Sequence, residues 1–196
     1  ETMSTRDEFM NRLRTHTPVP YDMPELTLEQ ISYADNVEQF IQISSFVGGQ
    51  AVELKEGEDL NELIHSLYPE ARHIASNLPD ITISTVNPDE VDDPHALDNL
   101  DLSVIEGETG VAENGCIWIP QQVRQKFIYF ISEYLVILLD KSKLVATMHD
   151  AYKLIPDKEC GFGVFISGPS KTAAIEQALV ADAHGARGVT VLFKSQ

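Results

Sequence analysis

Residues 134 to 139, Tyr-Leu-Val-Ile-Leu-Leu, form an apolar run with no polar break. A strand covered on both faces reads this way, because alternation vanishes when neither face meets water. The run is far below the roughly 20 residues of a membrane span. A strand of this kind needs helices above and below it, and the surrounding sequence supplies candidates. GFGVFIS (161–167) reads as another buried strand, SKTAAIEQALVADA (170–183) as a helix and GVTVLFK (188–194) as a closing strand. Asp140 is placed to cap a helix over KSKLVATMHDAYKLI, with Leu144, Val145, Met148 and Tyr152 on one side. Upstream, Asp35 is an N-cap for a helix carrying Val37, Phe40, Ile41 and Val47 and stopped by Gly48. GQAVEL is a short strand, and EDLNELIHSLYP is a helix with Leu60, Leu63, Ile64 and Leu67 on one stripe, ending before Pro69. ARHIAS and DITIST are strand candidates, and NPDEVDDPHALDNL is an acidic helix-turn segment. LDLSVIEGETGVAENGCIWI holds two strands about a glycine-rich turn, and VRQKFIYFI fits a short helix or a strand. The expected fold class is α/β, with a mainly parallel sheet and helices on both faces.

The N-terminal stretch differs. STRDEFMNRLRTH predicts a helix, with Ser4 and Asp7 approximating a capping box and Phe9, Met10 and Leu13 on one face. TPVPYDMPEL follows, and its three prolines cannot continue a helix. Residues 1–34 are therefore expected to be a helical arm and proline-rich connector, packing on the main domain or on a neighbouring subunit. Residues 35–196 are expected to be one α/β domain, a length that suits a single core.

Charge and cysteine content narrow the function classes. A net charge of −17 repels nucleic acid, whose binders carry a basic stripe, and opposes docking on an anionic membrane. The first residues, Glu1 to Asp7, lack an apolar stretch, so no signal peptide is expected. The two cysteines, Cys116 and Cys160, match no zinc or iron–sulfur spacing. They fit a reduced, cytoplasmic protein. The histidines His16, His65, His73, His95 and His149 are scattered without ligand spacing, so no metal site is expected.

Three turns carry the candidate chemistry. In Gly168-Pro169-Ser170-Lys171-Thr172, a strand gives way to the expected helix. Ligands of open α/β sheets bind outside the carboxyl ends of strands, which is where this turn would lie. Gly168 removes side-chain bulk, Ser170 can cap the helix, and the free N–H groups with Lys171 favour an anion; the same residues also make a plain N-cap. The P-loop spacing is absent. In GETGVAENGCIWI, Gly107, Gly110 and Gly115 make a flexible path, Glu113 is a candidate base or nucleophile, and Asn114 suits a left-handed turn or an oxyanion donor. A β-turn with a solvated glutamate fits equally. In DAHGARG, His184 and Arg187 stand in a turn where the arginine can hold a carboxylate in two-point fashion or pair with the chain's own acids.

These turns carry a family resemblance. GVAENGCIWI resembles the G-I-A-E-T-G-T stretch of the lactate-utilisation (LUD) domain. ISGPSKTAAIEQALVADAHGARGVTV resembles that family's closing signature, TGPSRTADIE followed by an HGPR-like turn and a final strand. The pattern fits the short, cluster-free subfamily of lactate utilisation protein C (LutC/YkgG-like). Ala174 replaces the usual Asp while Glu176 is kept, Asn114 replaces the usual Thr, and Ala186 replaces the usual Pro. The resemblance implies a NagB/RpiA/CoA transferase-like fold. It implies an accessory role in cytoplasmic oxidation of L-lactate to pyruvate, with no cofactor on this chain. Two partners are implied: an iron–sulfur LUD-domain protein and a cysteine-rich iron–sulfur protein. A small carboxylate or phosphate would bind at Gly110, Asn114, Gly115, Gly168, Ser170, Lys171, Thr172, Glu176, His184 and Arg187. A-E-N-G also resembles the S-E-N-G of CoA transferases, whose glutamate carries CoA as a thioester. This makes Glu113 the candidate catalytic residue of an alternative CoA-transferase-like or sugar-phosphate-type enzyme. A structural adaptor is a third expectation.

Overall fold

The apolar run becomes β6 (Tyr134–Asp140), with Leu135 to Leu139 at most 1% exposed. At about 1.5–3 kcal/mol for each large apolar side chain taken from water, this strand anchors the core. The computed structural model describes residues 4–16, 22, 29–155, 161–172, 180–181 and 185–194.

β6 lies at the centre of a five-stranded, all-parallel sheet. Its order is β1 (Gln50–Glu53), β11 (Gly188–Lys194), β6, β3 (Leu102–Glu106) and β2 (Ile74–Ala75). The pleat sends alternate residues to opposite cores. Leu135, Ile137 and Leu139 join Phe193 and Val191 on one face, and Val136 and Leu138 join Leu192 on the other. α2 (Asn36–Phe46) covers the first face through Phe40, whose ring meets Phe193 edge-on at 5.6 Å. α3 (Leu60–Leu67) covers the second through Ile64. The first begins as expected, with Asp35 accepting from the N–H groups of Val37 and Glu38, and in the second Asp59 accepts from the Glu62 N–H.

A second, four-stranded sheet shares the first face with α2. Its order is β7 (Leu144–Val145), β4 (Thr109–Val111), β5 (Ile117–Pro120) and β8 (Gly163–Ile166). β4 runs parallel to β7 and antiparallel to β5, which runs antiparallel to β8. Ile117 and Ile119 seat this sheet on the core below.

Several local expectations are corrected. The helix expected directly after Asp140 is broken: Asp140 caps only a 3-10 turn (Lys141–Lys143), Leu144 and Val145 pair with β4, and α4 (Met148–Leu154) starts from a Thr147 cap. Backbone pairing with Gly110 and Val111 overrides the helical pattern. DITIST is turn rather than strand, because the Asn61 side chain accepts from the N–H groups of Thr82 and Ile83 and folds the segment over α3. The segment from Lys126 to Tyr129 is a 3-10 turn. The glycine-rich stretch holds three strands instead of two, because Gly107 bends the chain from β3 into the second sheet.

Residues Glu1–Gln30 and Ile31–Gln196 form two units. In the first, α1 (Thr5–His16) has the expected Ser4 cap, with the Asp7 N–H donating to Ser4 Oγ, and none of its side chains is buried. No helix among the described residues is long and apolar enough to cross a membrane.

Candidate functional site

The turn between β4 and β5 is closed by two bonds: Val111 N–H donates to the Cys116 carbonyl (2.8 Å) and Gly115 N–H to the Val111 carbonyl (2.9 Å). Gly115 completes it at φ +68°, in the left-handed region. Asn114 Oδ1 accepts from the Cys116 N–H at 3.0 Å, the local turn bond typical of asparagine. The Asn114 carbonyl accepts from the Ser167 hydroxyl at 2.8 Å, tying this turn to the end of β8. Glu113 is held elsewhere. Its carboxylate accepts from the Met148 N–H (3.3 Å) at the first residue of α4, where a negative charge is favoured. Gly110 is a packing position: a Cβ there would stand 2.6 Å from Leu144 Cδ2 and 2.7 Å from Leu139 Cδ2. Beside this turn, burial pushes the Cys116 thiol pKa up; the hydrogen bond with Ser167 opposes the shift and the Glu113 charge adds to it.

The Gly168–Thr172 stretch does not begin a helix at Ser170. Lys171–Thr172 is β9, paired antiparallel with β10 (Val180–Ala181). The Ser170 N–H that was expected at a helix start instead donates to the Ala186 carbonyl at 2.9 Å. No helix N-terminus therefore stands at Ser170 to draw an anion; residues 173–179 and 182–183 of the expected helix lie outside the described residues. Gly168 has φ +63°, and a Cβ there would stand 2.9 Å from the Val47 carbonyl oxygen. The Lys171 ammonium donates to that same carbonyl, so its charge sits at the carboxyl end of α2, where the helix dipole favours a cation. Glu176 and His184 lie outside the described residues.

The third turn adjoins the second. A Cβ on Gly185 would stand 3.1 Å from Ser170 Cβ. Arg187 donates through its backbone N–H to the Glu133 carbonyl (2.8 Å) and through its guanidinium to the Glu133 carboxylate (3.1 Å). Its charge is thus matched by one of the chain's own acids.

The expected convergence of the three turns is present, on the opposite side of the parallel sheet from the strand-end rule. Gly49 precedes β1, Gly188 opens β11 and Glu133 precedes β6, so the turns gather outside the amino ends of these strands. Between the second and third turns runs a groove of about 270 Å³. Its polar lining residues are Ser167, Ser170 and Lys171, with Gly168 and Gly185 beside them. Glu113, Asn114 and Arg187 do not line it among the described residues, although Asn114 supports Ser167. Ser167 was missed in the sequence; its only signal there was its place beside the Gly-Pro-Ser turn. Among the described residues, no group of three or more His, Cys, Asp or Glu side chains is placed to hold a metal ion.

The family model described as the LUD domain matches residues 95–193, a span holding all three turns. The crystal structure of a DUF162 family protein from Deinococcus radiodurans is similar in fold, with a TM-score of 0.60 at 14% sequence identity. That match covers 84% of this chain and 99% of the other. No curated protein matches the chain.

Proposed function

Because this chain belongs to the LUD-domain family, we propose that it serves lactate utilisation as a cluster-free accessory subunit that holds a small carboxylate in the groove between its turns. The observation that carries this reading is that Lys171 and Ser170 line the groove together, in a chain of net charge −17. An ammonium has three N–H donors. The Val47 carbonyl takes one from Lys171, which fixes the side chain and leaves donors for a ligand oxygen. The Ser170 hydroxyl supplies a directional partner beside it, while the Ser167 hydroxyl donates to the Asn114 carbonyl and steadies the turn. A groove of about 270 Å³ lies just below the size range of drug-sized sites, which suits a metabolite of few atoms.

The partners in this reading are the iron–sulfur LUD-domain protein and the cysteine-rich iron–sulfur protein of the lactate system. Electron transfer is their task, and the compartment is the cytoplasm. The bond from Met148 N–H to the Glu113 carboxylate favours a positioning role for Glu113 over that of an acyl carrier.

The test is thermal unfolding with L-lactate, pyruvate, phosphate and a CoA ester. A ligand at a hundred times its Kd stabilises by about 2.7 kcal/mol. For a domain of this size that raises Tm by roughly 5–10 °C. The expected result is a shift with lactate or pyruvate that is lost in Lys171→Ala. No shift with any of the four refutes the binding reading. Co-purification with the two iron–sulfur proteins despite that failure would support an adaptor.

A further inference from the structure

We propose that β8 is a docking edge, at which an extended, mainly apolar segment of a partner polypeptide, carrying one acidic side chain, adds as a further strand. The strand pairing stands on the geometry of β8 alone. The preference for an acid rests on the same Lys171 as the carboxylate reading.

β8 pairs with β5 on one side and ends the second sheet. Its bonded positions follow from the ladder. Gln121 N–H donates to the Phe162 carbonyl at 2.9 Å. Bonded and non-bonded positions alternate in an antiparallel pair, so Val164 with Ile119 and Ile166 with Ile117 are the next bonded pairs. Gly163 and Phe165 fall between them, and their N–H and carbonyl groups point away from β5. Pro120, which has no N–H, stands opposite Gly163, where none is needed. Among the described residues, nothing takes the N–H or carbonyl of Gly163 or Phe165.

The groove follows this open edge. Val164, Phe165 and Ile166 all line it. A sheet face presents alternate residues, so three in succession mark the edge of the strand. Other elements supply the rest of the lining, with Phe130 from the 3-10 turn, Leu135 from β6 and Val189 from β11. The Phe165 ring lies 5.0 Å from Trp118 and 5.6 Å from Tyr152, which steadies the strand without using its outer backbone. Gly-Val-Phe-Ile carries none of the charges or prolines that ordinarily guard an edge. Strand addition draws affinity from main-chain bonds and specificity from alternate side chains.

Charge selects the occupant. The chain holds 31 Asp and Glu residues, yet none lines the groove, and Lys171 carries the one charge among the residues that do. A lysine in the added segment is repelled there, and a glutamate meets its counter-charge.

The test uses acetylated, amidated heptapeptides of valine and threonine that carry one Glu, one Gln or one Lys, scanned through every position. In the free chain, the Phe165 amide should exchange with solvent faster than those of Val164 and Ile166, and bound peptide should slow it by about tenfold or more. The best Glu peptide should bind about two- to fivefold more tightly than its Lys counterpart. In Lys171→Ala that preference should vanish while the protection of Phe165 stays. Phe165→Pro removes an outward N–H and no ladder bond, so it should abolish the binding that Phe165→Leu retains. Circular dichroism confirms that each variant is folded, and exchange in the unaltered chain needs no variant. Binding of no peptide, peptide binding that leaves the Phe165 amide unprotected, or a Phe165 amide already protected by pairing of two copies overturns the docking edge. Equal binding of Glu and Lys peptides overturns the preference for an acid. The Tm shift with lactate or pyruvate decides the carboxylate reading separately.

Discussion

Replacing Gly168 by alanine tests whether the groove is built on the carboxyl end of α2. Two terms add. The residue sits at φ +63°, where a Cβ costs about 1–2 kcal/mol. The new Cβ would also lie 2.9 Å from both the Val47 carbonyl oxygen and Val47 Cγ2, contacts that real Cβ atoms do not make. Relieving them moves the turn away from α2 and costs a further 1–3 kcal/mol, the range for overpacking. Gly57 separates the terms. Its φ is +78° and a Cβ there meets nothing within 4 Å, so Gly57→Ala carries only the backbone penalty. Urea unfolding monitored by circular dichroism should show a loss of about 2–5 kcal/mol for Gly168→Ala and about 1–2 kcal/mol for Gly57→Ala. The Gly168 variant should also bind carboxylates more weakly, because Lys171 loses its register against Val47. Equal losses for the two variants would refute the close approach of turn and helix.

Other expectations follow from single groups. The Asp101 carboxylate is held below the usual carboxylate range, first by the His73 N–H and then by the Arg72 N–H, each at 2.8 Å. A depressed folded-state pKa contributes stability above the unfolded value of about 3.9, and that stability is lost as pH falls through the folded value. Unfolding measured between pH 6 and pH 2 should therefore show part of the acid destabilisation vanish in Asp101→Asn, and an unchanged profile would contradict it. With burial raising its pKa, the Cys116 thiol should react with a disulfide reagent at pH 7.5 more slowly than a free thiol, measured in a Cys160→Ser background. A faster rate would show an activated thiolate instead.

Some of the fold is readable because its causes are local. The unbroken run in β6, the Asp35 cap and the apolar stripe of α3 fix their elements from neighbours within a few residues. The misread segments depend on distant partners. Leu144 and Val145 continue a helical pattern, yet β4 claims their backbone from more than thirty residues away. Ile81 and Ile83 alternate like a strand until Asn61 caps their turn. The site divides in the same way. The three turns stand out as glycine-rich punctuation, and the family motif groups them. What tunes them is invisible in one dimension: Val47 holding Lys171, Glu133 answering Arg187, and Ser167 bonded to Asn114. The helix expected at Ser170 shows the limit of a good local signal. Its N–H goes to Ala186, and the chain turns into a hairpin strand.

The most direct test of the account is an amide chemical-shift titration of the intact chain with L-lactate and with pyruvate. The account predicts saturable shifts concentrated at Ser167, Gly168, Ser170, Lys171 and Gly185, weakened in Lys171→Ala. Shifts centred instead on the carboxyl ends of the parallel strands, around Glu53, Glu106 and Asp140, would contradict it, as would no shift at all.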